Sequence, residues 1–226
     1  KKVDIPFCIS WANETWARTW DGQEKNILIE QKYEGKTDWK AHIKYLIPFF
    51  KDERYIKINN RPLMLLYTSA RIDNCEAMVE FWDSVLKKEG FAGIHIVETL
   101  SSYQTESCLE SSKAVVEFEP LYTRKKIRDQ ENIFDKAMRN IKKAVSVKLA
   151  RIDAKEYWKH ILQDQRKSDK EIYLGAFPRW DNSARKGKRG DIYKNTNPEE
   201  FEKNMKQLCV FAKKNSHRFI FINAWN

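Results

Sequence analysis

Residues 5–22 read Ile5-Pro6-Phe7-Cys8-Ile9-Ser10-Trp11-Ala12-Asn13-Glu14-Thr15-Trp16-Ala17-Arg18-Thr19-Trp20-Asp21-Gly22. An apolar run of strand length, short enough for a buried parallel strand, passes into three tryptophans, an Asn-Glu pair and an Asp-Gly. A core strand does not end this way. Tryptophan offers a wide apolar face and loses little entropy when fixed, so several of them beside carboxylates and amides suit a ring-shaped ligand rich in hydroxyls, a sugar. Capping of a core edge is the plainer role open to the same side chains.

The chain of 226 residues, 42% hydrophobic, is long enough to bury a core and fits a single domain over 1–226. Eight Trp, nine Tyr and twelve Phe against seven Gly describe a packed globular protein rather than a linker or a repeat array. No apolar stretch approaches the roughly 18 residues that span a bilayer, and the first residues lack the hydrophobic region of a signal peptide. A net charge of +10 invites a nucleic-acid reading. Its distribution over 124–128, 139–148 and 185–189, where the first two groups read as polar faces of amphipathic helices, instead predicts a solvated surface and no nucleic-acid partner. Cys8, Cys75, Cys108 and Cys209 lack metal-ligand spacing and are expected to be free thiols.

Working outward from the opening stretch, Trp39, Ile43, Leu46, Ile47 and Phe50 fall at helical spacing over 38–51, with Pro48 marking an end or kink. Asn59-Asn60-Arg61-Pro62 is a turn that leads into a second apolar strand over 63–68. A helix over 75–88 closes at Gly90. A third strand covers 93–99, and a fourth runs over 114–120 to a proline that cannot continue it. Between these two strands, 105–112 is helix-like or irregular. The basic segment 121–170 contains helices around 133–147 and 154–165. A fifth strand over 172–177 is followed by a helix over 198–215, which Asn197 caps with Pro198 at its first position, and by a sixth strand over 219–224.

Strands of nearly continuous apolar character alternating with helices predict a parallel sheet covered by helices. The position of the polar residues selects a (β/α)8 TIM-type barrel over a doubly wound sheet. Asn13-Glu14, Glu98, Glu119, Trp180-Asp181-Asn182 and Trp225-Asn226 fall at the ends of different strands, as barrel sites require, and no glycine-rich phosphate loop follows any strand. Six strands leave an eight-stranded barrel open, so two more are expected before Lys1.

The segments Trp11-Ala12-Asn13-Glu14-x-Trp16, Trp20-Asp21-Gly22, Leu28-Ile29-Glu30-Gln31-Lys32-Tyr33, Arg61-Pro62-Leu63, Glu117-Phe118-Glu119-Pro120, Phe177-Pro178-Arg179-Trp180-Asp181-Asn182-x-x-Arg185 and Ile222-Asn223-Ala224-Trp225-Asn226 together resemble the WbsX-like proteins. That family is labelled as glycosyltransferases of polysaccharide gene clusters and is similar to glycoside hydrolase family 99, the endo-α-mannosidases. The resemblance implies a barrel acting on the carbohydrate of polysaccharides or glycans. Two departures stand out: the family continues past the position of Asn226 with a glutamate, and its hydrolases carry glutamates three apart where Glu30 and Glu34 here are four apart. Taken alone, a chain lacking that glutamate and the first two strands is expected to be inactive and poorly stable.

Glycosidic chemistry by hydrolysis needs one carboxylic acid and a second carboxylate on opposite sides of the sugar. Glu14, beside an amide at a strand end, and Glu119, before Pro120 at the barrel mouth, are the catalytic candidates. A helix-start carboxylate or a surface salt bridge for Glu14 and a buried ion pair for Glu119 are the structural alternatives. Trp11, Trp20, Trp180 and Trp225 suit stacking on sugar faces. Asn13, Asp21, Tyr67, Glu98, Asp181, Asn182 and Asn226 suit hydroxyls, and Arg185 suits Asp181 or an acidic sugar. The four histidines stand apart from metal-ligand spacing, so no metal and no cofactor are expected. Strand-end carboxylates favour a hydrolase. The alternatives are a transferase of surface polysaccharide synthesis, although a nucleotide-sugar donor commonly uses an Asp-x-Asp that this sequence lacks, and a sugar-binding module without catalysis.

Overall fold

A computed structural model describes residues 4–18, 23–145, 150–163, 166, 168–187 and 190–223. In chain order it contains β1 (Ile9–Trp11), β2 (Trp16–Arg18), β3 (Gln23–Ile29), α1 (Lys36–Phe50), β4 (Lys57–Ile58), β5 (Arg61–Leu66), α2 (Cys75–Lys88), β6 (His95–Leu100) and β7 (Ala114–Glu117). There follow α3 (Leu121–Gln130), α4 (Ile133–Val145), β8 (Ala150–Asp153), α5 (Ala154–Gln163), β9 (Glu171–Ala176), α6 (Ser183–Lys186), β10 (Asp191–Lys194), α7 (Pro198–Lys214) and β11 (Ile220–Ile222). This is an α/β fold of parallel strands flanked by helices. The chain divides into two compact units, the first of Lys1–Thr15, Glu30–Thr99 and Glu106–Val115, the second of Trp16–Ile29, Leu100–Thr105 and Val116–Asn226.

In the first unit β5 lies between β1 and β6 and pairs in parallel with both, Ile9 facing Met64 and Leu63 facing His95. Leu63, Met64, Leu65 and Leu66 are all buried, as an apolar strand covered on both faces must be. Asn59 and Asn60, at φ 51° and 56°, make the two-residue turn that joins β4 antiparallel to β5, a conformation asparagine tolerates better than most residues. Helices α1 and α2 bury Trp39, Ile43, Leu46, Phe50, Met78, Val79, Trp82 and Leu86 in one core, and the Trp82 indole N–H reaches the Trp39 carbonyl at 2.9 Å. α2 has the bounds its periodicity predicts, and Gly90 at φ 91° ends it with Phe91 N–H bonded to the Leu86 carbonyl. α1 runs two residues beyond Pro48, which therefore marks its last turn.

In the second unit β9 neighbours β7 and pairs in parallel with β11, Gly175 facing Phe221. Its core gathers Trp158, Leu174, Phe177, Tyr193 and Leu208, with the Trp158 and Phe177 rings stacked at 5.5 Å. Several parts of this unit differ from what the sequence predicts, α6 and β10 among them. The tract after Glu14 holds the antiparallel hairpin β2–β3, and 121–170 begins with α3 and also holds β8, which pairs in parallel with β10. β8 reads Ala-Arg-Ile-Asp, too short and too charged to stand out as a strand. The first predicted strand also shrinks to β1 and a bridge from Phe7 to Tyr55. Residues 105–112 have no regular structure, the irregular option of the reading. Trp20, Asp21, Trp225 and Asn226 lie outside the described residues, as does the side chain of Arg185. Cys8, Cys75, Cys108 and Cys209 are free thiols.

Asn197 accepts the Glu200 N–H at 2.8 Å, capping α7 ahead of Pro198 as the sequence predicts. Asn197→Ala leaves that donor without its partner and is expected to lower stability by about 1 kcal/mol, read as an earlier denaturant midpoint at unchanged slope.

Candidate functional site

In the first unit the end of β1 is stapled to the end of β5. Tyr67 N–H donates to the Trp11 carbonyl at 3.1 Å. The Asn13 amide donates to the Thr68 carbonyl at 2.8 Å and to the Tyr33 hydroxyl at 3.2 Å, while its oxygen accepts the Thr68 N–H at 2.9 Å. Tyr33 returns a bond to the Asn13 carbonyl at 3.0 Å. Both ends of the Asn13 amide are thus committed to the chain, and what it does is hold the backbone from which Glu14 projects. Glu14 keeps 32% of its side chain exposed and accepts Arg71 Nη1 at 2.8 Å. The half-buried Trp11 ring meets His42 edge-on at 4.5 Å and Tyr33 at 6.2 Å, on the rim of the first core.

Glu98 sits in β6, fully buried. Its oxygens accept from Ser69 at 2.6 Å, from Ser112 at 2.7 Å, from the Ser107 hydroxyl, from the Cys108 N–H at 3.0 Å and from the Leu109 N–H at 3.3 Å. Burial by itself raises its pKa, but the Ser107, Ser69, Cys108 and Ser112 donors outweigh that and hold it below the usual carboxylate range. The geometry makes Glu98 the anchor of the loop that follows β6 rather than a group turned toward solvent.

The second unit places two carboxylates at the end of β7. Glu117 is met by Arg166, Nε to one oxygen at 2.7 Å and Nη2 to the other at 3.0 Å, both side chains nearly inaccessible. Glu119 is buried as well and accepts the Thr123 hydroxyl at 2.8 Å and the Thr123 N–H at 3.3 Å. Burial pushes Glu119 up to about 8, and the neighbouring Glu117 charge adds to the rise, against the pull of the Thr123 bonds and the Arg166 guanidinium. It therefore carries a proton at neutral pH. The Glu119–Pro120 peptide is cis, and the Glu119 carbonyl accepts the Asn223 amide at 2.7 Å, just past β11. Gly175 lies so close that a Cβ there would collide with the Glu117 carbonyl and stand 2.8 Å from Glu119 Cγ.

After β9, Trp180 is buried, its ring perpendicular to Phe118 at 6.4 Å, and among the described residues its indole N–H has no acceptor. Asp181 remains accessible and accepts the Ser183 hydroxyl and N–H at 2.6 and 2.9 Å, which lower its pKa. Asn182 accepts the Asp191 N–H at 2.8 Å, and Asp191 forms a two-pronged pair with Arg124. The first unit thus collects Trp11, Asn13, Glu14 and Tyr67 at or just past strand ends with Glu98 inside β6, and the second Glu119 just past β7 with Trp180, Asp181 and Asn182 in the connection that follows β9. Glu14 and Glu119 belong to different units.

The sequence reading passed over Thr123, Arg166, Asn223 and the Arg124–Asp191 pair. Glu119-Pro120 followed by a helix, with a threonine in its first turn, was a legible signal for the first of these. Arg166 is one of many cations in a basic tract and carries no mark of its own. Among the described residues, no group of three or more His, Cys, Asp or Glu is placed to hold a metal, and no helix is long and apolar enough to cross a membrane.

Comparison with known proteins gives a family. The family model described as Glycosyltransferase WbsX matches residues 1–226. Two relatives, each named Uncharacterized protein WxcX, come from Xanthomonas campestris pv. campestris strains B100 and ATCC 33913, and both are 26% identical over 99% of this chain. The chain spans 31% of the length of each. No solved structure matches.

The raised pKa of Glu119 has a stability consequence of definite sign. The folded state holds a proton that the unfolded chain releases near pH 4.3, so between there and about pH 8 the native form loses stability as pH rises. Glu119→Gln keeps an acceptor for Thr123 and removes the titration. Its stability relative to wild type is expected to climb from pH 5 to pH 8 in paired denaturant melts, and a flat difference would mean an ordinary pKa.

Proposed function

The chain belongs to the WbsX glycosyltransferase family, and from that membership we propose that it is part of an enzyme that forms glycosidic bonds during synthesis of a surface polysaccharide. The match along the whole chain carries the reading, and it favours transfer over the hydrolysis that strand-end carboxylates alone suggest. Parallel strands with carboxylates, amides and tryptophans at their C-terminal ends support the further proposal that the two units contribute βα units to a (β/α)8 barrel.

In transfer, an acceptor hydroxyl oxygen attacks the anomeric carbon of an activated donor sugar. The bond from that carbon to its leaving group breaks, and the hydroxyl proton passes to a base. Glu119 is the candidate base: raised to about 8 it is mostly protonated at neutral pH, and its ionised fraction takes the hydroxyl proton and readily gives it up again. Glu14, partly exposed and fixed by Arg71, suits a hydrogen bond to a sugar hydroxyl. Within the second unit Asp181 is placed to accept from another hydroxyl, and Trp180 adds an apolar wall with one indole N–H to give. Hydrolysis is the second reading. One observation favours it: Glu119 holds a proton at neutral pH, as an acid that cleaves a glycosidic bond must.

The two separate in one assay on the protein that contains this chain. With nucleotide sugars and an acceptor oligosaccharide, transfer yields a lengthened product only when the donor is present, whereas hydrolysis shortens the oligosaccharide without it. Glu119→Gln is expected to lower turnover by about a hundredfold in a variant that still melts cooperatively. Wild-type turnover in that variant would remove Glu119 from the chemistry.

A further inference from the structure

Helix α4 carries an apolar stripe that its own unit leaves open. Ile133 is 88% exposed, Phe134 71%, Ile141 56% and Met138 39%. With Ala137 these positions recur at spacings of one, three and four, which on an α-helix is a single face. Large side chains gathered in this way are unfavourable in water and mark a surface that something covers. Charge indicates what that is. The sequence of α4 also contains Lys136, Arg139, Lys142 and Lys143 against the single acid Asp135, and the stretch 121–145 holds eight Lys and Arg against three Asp and Glu.

We propose that α4 docks on an anionic lipid bilayer, the Ile133, Phe134, Met138 and Ile141 stripe entering the headgroup boundary while the basic residues of the helix supply attraction to lipid phosphates. An apolar stripe alone would fit a protein partner equally well. The surplus of positive charge along the same helix selects a negatively charged surface, and apolar side chains on one face with lysine and arginine in the remaining sequence are the composition of helices that lie in the membrane interface. At 13 residues α4 is about 20 Å long, short of the roughly 30 Å hydrocarbon core, so it lies in the plane of the surface instead of crossing it. The proposal stands independently of which glycosidic reaction the protein performs.

Flotation of the protein that contains this chain with phosphatidylcholine vesicles, with and without phosphatidylglycerol, tests it. Binding is expected only to the vesicles containing phosphatidylglycerol, and added salt weakens it. The triple variant Ile133→Ser, Phe134→Ser, Ile141→Ser is expected to bind at least about tenfold more weakly with an unchanged melting temperature. Lys136→Glu leaves the stripe intact and is expected to weaken binding to anionic vesicles. If the triple variant does not fold, Phe134→Ser alone is judged by the same criterion. No binding, equal binding to neutral vesicles, or wild-type binding by the variants overturns the proposal. So does a vesicle-free protein in which the α4 amides are protected from hydrogen exchange by another part of the protein or by a second copy.

Discussion

Glu117 and Glu119 stand two residues apart at the end of β7, out of contact with water, and two carboxylates so placed cannot both stay charged at low cost. Arg166 decides between them. Its guanidinium takes both oxygens of Glu117, while burial keeps a proton on the second carboxyl, which turns to Thr123. The surrounding structure serves this division. Asn223 fixes the Glu119 carbonyl, and a glycine at 175 lets β9 approach where any side chain would meet Glu117. A buried pair of this kind adds little net stability, yet removing one partner strands a charge, so its geometry is strongly enforced.

Much of the fold was legible because the physics behind it is local. α2 and α7 are written in apolar periodicity and in the residues at their ends, Gly90 and Asn197, and β5, β6 and β9 in short apolar runs. β8 and the β2–β3 hairpin were not legible, since β8 has no apolar run and exists by pairing with a strand some forty residues later. At the site, the sequence marked which strand ends carry carboxylates and amides. It did not mark that Arg166, distant along the chain, would neutralise Glu117. Such pairing is a property of packing, and nothing in a basic tract distinguishes the one cation that will be buried.

The amides show the same limit from the other side. Asn13 and Asn182 look in sequence like groups offered to a ligand, and in the structure each binds backbone, Asn13 just past β1 and Asn182 in the connection from β9 to β10. Asn223, on which the sequence reading placed no role, does likewise. A short amide carries a donor and an acceptor on a nearly rigid stem, so it closes loops between strand ends as readily as it would hold a hydroxyl. What such residues contribute to a site is the fixed position of their neighbours, here Glu14, Asp181 and Glu119.

The seated, ionised carboxylate of Glu98 responds to pH in the sense opposite to the carboxyl of Glu119. Its donors come from the irregular loop after β6 and from Ser69 after β5, and because they hold its pKa low, the stability they confer is present at neutral pH and is lost as pH falls through that lowered value. Glu119 works in the reverse sense, weakening the second unit as pH rises. Acid therefore weakens the hold of Glu98 on its loop, whereas the cost of burying Glu119 grows as pH rises toward about 8. A carboxylate seated among donors and a carboxyl kept neutral by burial thus draw the loop after β6 and the end of β7 toward opposite ends of the pH range.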